Sequence, residues 1–378
     1  MSSPAHAVTV GVLRERVERE RRVALVPNDV GKLATRMRVV VETGAGAQAG
    51  HDDAAYAAAG ASVLPRADVL GGADIALAIR PLADLPREGC TLIGFGGHDP
   101  GYRARLEAHG VLHLALERMP RITRAQAMDA LSSQASCAGY AAVLEGARHL
   151  DVMLPMLTTA AGIVRPAKMI ALGAGVAGLQ ALATARRLGA QTWGFDVRAA
   201  AAEQVESLGA KFVGVETAPS AEAAGGYAVA QSDDEQVRLR RALAPHLDGM
   251  QLIVTTAQIP GRAAPLLVDD DMIARLAPGT VIVDLAAETG GNTSATRADE
   301  VVECGGVIIL GPTDLPSRVA RDASMLLSGN MRALLAHLVG SDGALRLDRE
   351  DAILGPMIGA QALPAPAEAA APPQPVAA

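Results

Sequence analysis

The chain has 378 residues, half of them hydrophobic, with 34 Lys+Arg against 41 Asp+Glu and 39 Gly, the balance of a folded protein long enough for two domains. A net charge of −7 without long like-charge blocks excludes nucleic acid and anionic membrane surfaces as partners, since both reward a basic face. One Trp, four Tyr and three Phe leave the core to Ala, Val, Leu and Ile and exclude recognition by aromatic stacking.

Cys90, Cys137 and Cys304 lie far apart and match neither a disulfide framework nor a metal knuckle, which places the chain in a reducing cytoplasm. The opening MSSPAHAVTVGVLRERVERERR lacks a basic leader with an apolar core, so the mature chain is expected to begin near Met1. Its longest uncharged run, Met169 to Ala185, is short for a membrane span and is interrupted by glycines. It reads as a buried strand entering a helix, and no direct membrane insertion is expected.

In chain order, strand-like runs fall at Ala7–Leu13, Val39–Glu42, Asp74–Ile79 and Thr91–Gly96, continuous apolar stretches that suit parallel strands covered on both faces. Helix-length segments at Asp52–Gly60 and Gly101–Gly110 end in glycine. A second α/β unit opens at Lys168 and runs through KMIALGAG, QTWGFDVR, AKFVG, QLIVTTA, TVIVDLAAE and GVIIL, the rhythm of a doubly wound parallel sheet. The connection Val215–Gln231, with GlyGlyTyr at its centre, has the length of a functional or mobile loop. A helix over Met325–Val339 would return the chain to the first domain, and the last residues are too rich in Ala and Pro to pack. The expected architecture is α/β with two Rossmann-like domains. Residues 1–136 and 311–360 form a discontinuous first domain, 137–310 a nucleotide-binding one, and 361–378 a tail.

The strongest motif is Gly173-Ala174-Gly175-Val176-Ala177-Gly178, which follows one strand and opens a helix. Gly173 would make the tight turn, Gly175 would admit a pyrophosphate to the backbone, and Gly178 would let the helix pack closely on the strand. Asp196 ends the next strand, eighteen residues past Gly178, where a carboxylate accepts from an adenosine ribose and repels a 2′-phosphate. NAD(H) is therefore the expected cofactor, while Arg198, beyond Val197, could instead hold a 2′-phosphate. Over Pro120–Gln134, Thr123 has the character of an N-cap with Gln126 at the capping-box position, so a helix is expected to start there. On it Gln126, Asp129, Ser132 and Ser133 would share a polar face, which suits either a cleft or ordinary solvent.

Arg22, Lys32 and Arg80 read as surface charges or cleft supports, and His98, in a turn, as a solvent-exposed histidine or a general base. No GxSxG occurs, Cys137 has no readable base partner, and no spacing suggests a metal. These residues alone reach an NAD-dependent oxidoreductase or a non-catalytic NAD-binding module.

A series of motifs goes further: GVLRERVERERRVALVP, VETGAGAQAG, PRITRAQAMDALSSQ, GAGVAGLQA, FDVR, GGYA, TTAQIPGRAAP, IVDLAAETGGN and TDLPSRV, in order and without a large gap. Through about Val339 the chain resembles the soluble NAD(H)-binding component of proton-translocating nicotinamide nucleotide transhydrogenases. Alanine dehydrogenases share the two-domain architecture but lack RAQAMDALSS. The resemblance implies that Arg121, Gln126, Asp129 and Ser132 contact the dihydronicotinamide or shape the approach of a second nucleotide, and that Tyr227 lies on a mobile loop folding over the first. It further implies hydride transfer from NADH to NADP⁺ on a partner subunit, coupled to proton translocation by membrane-spanning subunits. A homodimer, peripheral on the cytoplasmic face of the membrane, is implied as well. An alanine-type dehydrogenase would need a Lys and a His where this chain reads IRPL, with Arg80, and FGGHDP, with His98 displaced by about one residue. Ala127, Cys137 and FGGH depart from the transhydrogenase pattern.

Overall fold

The computed structural model describes residues 8–214, 233–259, 261–340 and 342–361, so Tyr227, the rest of its loop, and the tail beyond 361 lie outside the described residues. The chain divides into two compact units, one comprising Met1–Val17, Val23–Met128 and Ser328–Ala378, the other Glu18–Arg22 and Asp129–Leu327.

In the first unit, β1 (Thr9–Val12), β2 (Arg38–Glu42), β3 (Ser62–Leu64), β4 (Ile75–Leu77), β5 (Thr91–Gly94) and β6 (Leu112–Ala115) form one sheet in the order β3-β2-β1-β4-β5-β6. Every pairing is parallel. The apolar runs are buried on both faces, as such runs require. Two strands carry no clear signal in the sequence. β3 is a three-residue edge strand with no buried position, and β6 has a histidine, His113, inside its apolar run. The helices Asp53–Ala58 and Pro100–Ala108 lie where expected, each opened by an aspartate, Asp52 or Asp99, that accepts backbone N–H groups of the first turn.

The second unit begins its sheets with an exposed hairpin, β7 (Leu157–Thr159) and β8 (Gly162–Val164). Then β9 (Lys168–Leu172), β10 (Gln191–Phe195), β11 (Lys211–Val213), β12 (Leu252–Thr255), β13 (Val281–Asp284), β14 (Val301–Cys304) and β15 (Val307–Leu310) build one sheet, ordered β11-β10-β9-β12-β13-β15-β14. All pairings are parallel except that of β14, an edge strand too exposed to read as apolar. Alternation along the strands builds two cores. Met169, Ala171, Leu252, Val254, Val281 and Val283 pack with the helices Ala130–His149 and Val176–Arg187, while Ile170, Leu172, Ile253 and Ile282 pack with Asp233–Leu247 and Asp270–Arg275.

The α-helix expected from Thr123 does not start there. Thr123–Met128 is a 3₁₀ segment, and the α-helix runs from Ala130 with Asp129 as its N-cap. Asn330 Nδ2 donates to the Ala127 carbonyl at 2.9 Å, an acceptor that a continuing α-helix would have given to Leu131. The helix expected from Met325 instead begins at Ala320. Ser324 and Ser328 are fully buried, and these polar groups on the inner face mask the helical period in the sequence.

Candidate dinucleotide site

The strand order of the second sheet reverses between β9 and β12, and the glycine-rich turn closes β9 at that point. Gly173 turns with φ +109°, a conformation that side chains disfavour, and its N–H donates to the Phe195 carbonyl at 2.8 Å. A Cβ on Gly178 would stand 1.8 Å from the Gly173 carbonyl oxygen, so only glycine lets the helix Val176–Arg187 sit this close to the turn. Gly175 faces open space and caps that helix without any side-chain hydrogen bond. Backbone N–H groups of the first turn thus present partial positive charge to an incoming anion. Gly139, inside the helix Ala130–His149, is a further requirement the motif does not reveal. Its missing Cβ would lie 2.1 Å from the Ala177 carbonyl oxygen, and the only sign in the sequence is a glycine in a long helical stretch.

Asp196 sits at the end of β10, its side chain only 7% exposed. One oxygen accepts from Ala174 N–H at 2.8 Å, which ties the turn to the neighbouring strand. The Arg198 backbone N–H and Nε both reach the other oxygen at 2.9 Å, and Arg198 Nη2 returns to the first at 3.0 Å. The carboxylate and guanidinium therefore face each other, and Val197 lies between them in sequence, packed against one core of the sheet. Both readings of this motif, a ribose acceptor and a phosphate-binding arginine, converge on one ion pair.

Asp129 closes on Ser132: Ser132 N–H donates to Oδ1 at 3.0 Å and Ser132 Oγ to Oδ2 at 2.6 Å. The two are held as a preformed polar pair at the helix start. Ser133 bonds locally to the Ala130 carbonyl, and Arg121 and Gln126 are exposed on or beside the 3₁₀ segment. The continuous helical stripe expected from spacing is thus replaced by a 3₁₀ turn and a cap.

Arg22 is not a surface charge. It is 6% exposed, with Nε and Nη2 on the Glu20 carboxylate at 2.7 and 2.6 Å and Nη1 on Gln134 Oε1 at 2.8 Å. Ser317 Oγ donates to Glu20 at 2.5 Å, so three separate motifs, RERR, SSQ and LPSR, meet in one buried cluster. Lys32 is exposed and pairs with Asp29, and His98 is exposed. Arg80 follows β4, where its N–H and that of Ile79 donate to the buried Glu15 carboxylate at 3.1 and 2.6 Å. Glu15 follows β1, so at the order reversal of the first sheet a side chain of the protein already takes the amides that a ligand would use.

Two doubly wound units, one carrying an open glycine-rich turn at its sheet reversal, define a dinucleotide-binding α/β protein. Residues 11–138 match the family model "Alanine dehydrogenase/PNT, N-terminal domain" and residues 142–362 the model "Alanine dehydrogenase/PNT, C-terminal domain", and the chain belongs to this family. It is 45% identical over 362 residues to NAD(P) transhydrogenase subunit alpha of Cereibacter sphaeroides, covering 91% of this chain and 68% of that one. That subunit of Haemophilus influenzae is 39% identical, with 91% of this chain and 69% of that one covered. The solved transhydrogenase of Sinorhizobium meliloti superposes with a TM-score of 0.82 at 42% identity, over 92% of this chain and 97% of that one. Alanine dehydrogenase of Bacillus subtilis is more distant, at 27% identity over 89% and 87% of the two chains. The family and the expected nearness to transhydrogenases over alanine dehydrogenases are thus borne out.

Proposed function

We propose that the chain binds NADH and presents it for hydride transfer to NADP⁺ held on a partner subunit of a proton-translocating transhydrogenase. The observation that carries this reading is the open turn Gly173–Gly178 beside Asp196, in a chain whose relatives are transhydrogenase alpha subunits. Amides of Gly175, Val176, Ala177 and Gly178 would hold the pyrophosphate on the turn shaped by Gly173 and Ala174, whose own N–H groups go to Phe195 and Asp196; Asp196 would take the adenosine ribose with Val197 and Arg198 at its edge, and Tyr227 would fold over the nucleotide. Arg121, Gln126, Asp129 and Ser132 would orient the dihydronicotinamide. Bound NADH supplies a hydride, and its passage to a second nicotinamide moves no hydroxyl or amine proton. Orientation is then the main demand on the protein, and a preformed pair such as Asp129 and Ser132 meets it.

The alternative, an amino-acid dehydrogenase using Arg22, Arg80 and His98 on an oxo-acid, is disfavoured because Glu20 and Gln134 already occupy the Arg22 guanidinium. Calorimetry and a turnover assay separate the readings: NADH should bind in clear preference to NADPH, and alanine should drive no NAD⁺ reduction. Alanine-dependent reduction would replace the proposal.

Membrane-spanning and NADP(H)-binding subunits would hold this one at the cytoplasmic face; no helix among the described residues is long and apolar enough to cross a membrane. Two copies would pair through the β7–β8 hairpin, where Met156 and Ile163 are 64% and 69% exposed beside Leu157 and Val164. Sedimentation of the full chain tests this, and a monomer at micromolar concentration rules it out.

A further inference from the structure

Opposite the glycine-rich turn, across the reversal of the second sheet, the loop after β12 is held by residues of TTAQIPGRAAP and IVDLAAETGGN, two motifs to which the sequence assigns no role. Thr256 Oγ1 donates to the Gly173 carbonyl at 3.0 Å, which joins the two walls of the crevice. The next residue, Ala257, is gripped on both backbone groups by Asn292: its N–H donates to Oδ1 at 3.1 Å and its carbonyl accepts from Nδ2 at 2.8 Å. Asn292 Nδ2 also donates to the Pro265 carbonyl at 2.9 Å, so one side-chain amide fixes both ends of the stretch 257–265. Gln258 Nε2 donates to the Leu285 carbonyl at 2.9 Å and adds a second tie to the end of β13.

Asn292 is itself positioned by Asp284, and neither residue has any exposed surface. Asp284 Oδ2 accepts from Asn292 N–H and Thr296 Oγ1, both at 2.6 Å, and from Thr293 N–H at 3.3 Å, while Oδ1 accepts from Ala286 N–H at 2.9 Å. A carboxylate with four donors and no exposed surface is a fixed anchor that substrate cannot reach. In a doubly wound sheet the adenosine half of a dinucleotide lies toward the strand bearing the ribose acceptor, here β10 with Asp196, and the pyrophosphate lies on the turn. The other half must then cross the reversal toward β12 and β13, against Ala257 and Gln258.

We propose that Asn292, anchored by Asp284, is a positioning residue that sets the Ala257–Gln258 backbone as the wall against the nicotinamide half of the bound nucleotide. This rests on the reading of the crevice as an NAD(H) site. The relay runs from a buried carboxylate through a buried amide to backbone groups, with no charged group at the wall itself. The nicotinamide side of the crevice is thus made rigid from behind.

Calorimetry of the full chain with NADH and with ADP-ribose, which lacks the nicotinamide, tests the assignment. Asn292→Ser should weaken NADH about tenfold, as the loss of one or two hydrogen-bonded contacts does, and leave ADP-ribose within about twofold. Thr296→Val, which removes a single donor from Asp284, should shift the same ratio in the same direction to a smaller extent, and it carries the comparison alone if Asn292→Ser does not fold. Equal weakening of both ligands in the folded variants, or of neither, overturns the proposal. Failure of the unmodified chain to bind either ligand would instead overturn the NAD(H) reading beneath it.

Discussion

The carboxylate of Asp196 and the guanidinium of Arg198 form a closed pair, with Nε at 2.9 Å from one oxygen and Nη2 at 3.0 Å from the other, while Ala174 N–H and Arg198 N–H take the remaining acceptor positions. A ribose diol seeking Asp196 therefore competes with Arg198, and a 2′-phosphate seeking Arg198 competes with Asp196. Removing either partner releases the other. Asp196→Ala should weaken NADH and narrow its preference over NADPH, whereas Arg198→Ala should widen that preference, each by about tenfold. Parallel titrations with the two nucleotides check this. An unchanged ratio in both variants would take the pair out of cofactor selection.

Asp129 and Ser132 make a different kind of prediction, because their bonds preform polar groups at a helix start. Asp129→Asn retains a good N-cap but loses the charge, so folding should survive. ADP-ribose affinity should be unchanged while hydride transfer slows about ten- to hundredfold, the scale of lost orientation. Stopped-flow turnover beside calorimetry measures both, and normal turnover would remove the residue from the site.

Gly139 joins the long helix to the nucleotide helix. With backbone 2.1 Å from a would-be Cβ, Gly139→Ala must push the helices apart. The expected cost is about 1–3 kcal/mol, several degrees in Tm, together with weaker NADH binding because the displaced helix carries the turn. Calorimetric melting reads the first effect and nucleotide titration the second.

How much of this is legible in the sequence divides along physical lines. Apolar parallel strands announce themselves, and so does a strand-turn-helix with three spaced glycines. The fold class and the turn can be read from residues alone. Asp129 as the cap cannot, because the choice between Thr123 and Asp129 is settled by Asn330, distant in sequence, taking the Ala127 carbonyl. The Glu20–Arg22–Gln134–Ser317 cluster and the Asp284–Asn292 anchor are equally hidden, since each joins residues whose nearness only the fold creates. RERR reads as a charged surface until its glutamate and last arginine are found buried.

His113 links the first unit to pH. It is fully buried in β6, with Nε2 on the Gly94 carbonyl at 3.2 Å and its ring edge-on to Tyr102. Burial pushes its pKa below the usual value, against the opposing pull of Glu117 and the Gly94 carbonyl. The unfolded chain then takes up the proton first, so the stabilisation is full above pH about 6.5 and is lost as pH falls toward the depressed folded value. His113→Gln should flatten the decline of Tm between about pH 6.5 and 5 relative to the unmodified chain. An identical slope would contradict the assignment.

The central claim concerns where the hydride goes, and one assay addresses it directly. The purified chain is mixed with NADH and a spectrally distinct NADP⁺ analogue, with and without an NADP(H)-binding transhydrogenase subunit, beside a control of pyruvate and ammonium. The account predicts analogue reduction only when the partner is present and no NADH oxidation in the control. Partner-independent oxidation of NADH by pyruvate and ammonium would contradict it and make the chain an amino-acid dehydrogenase.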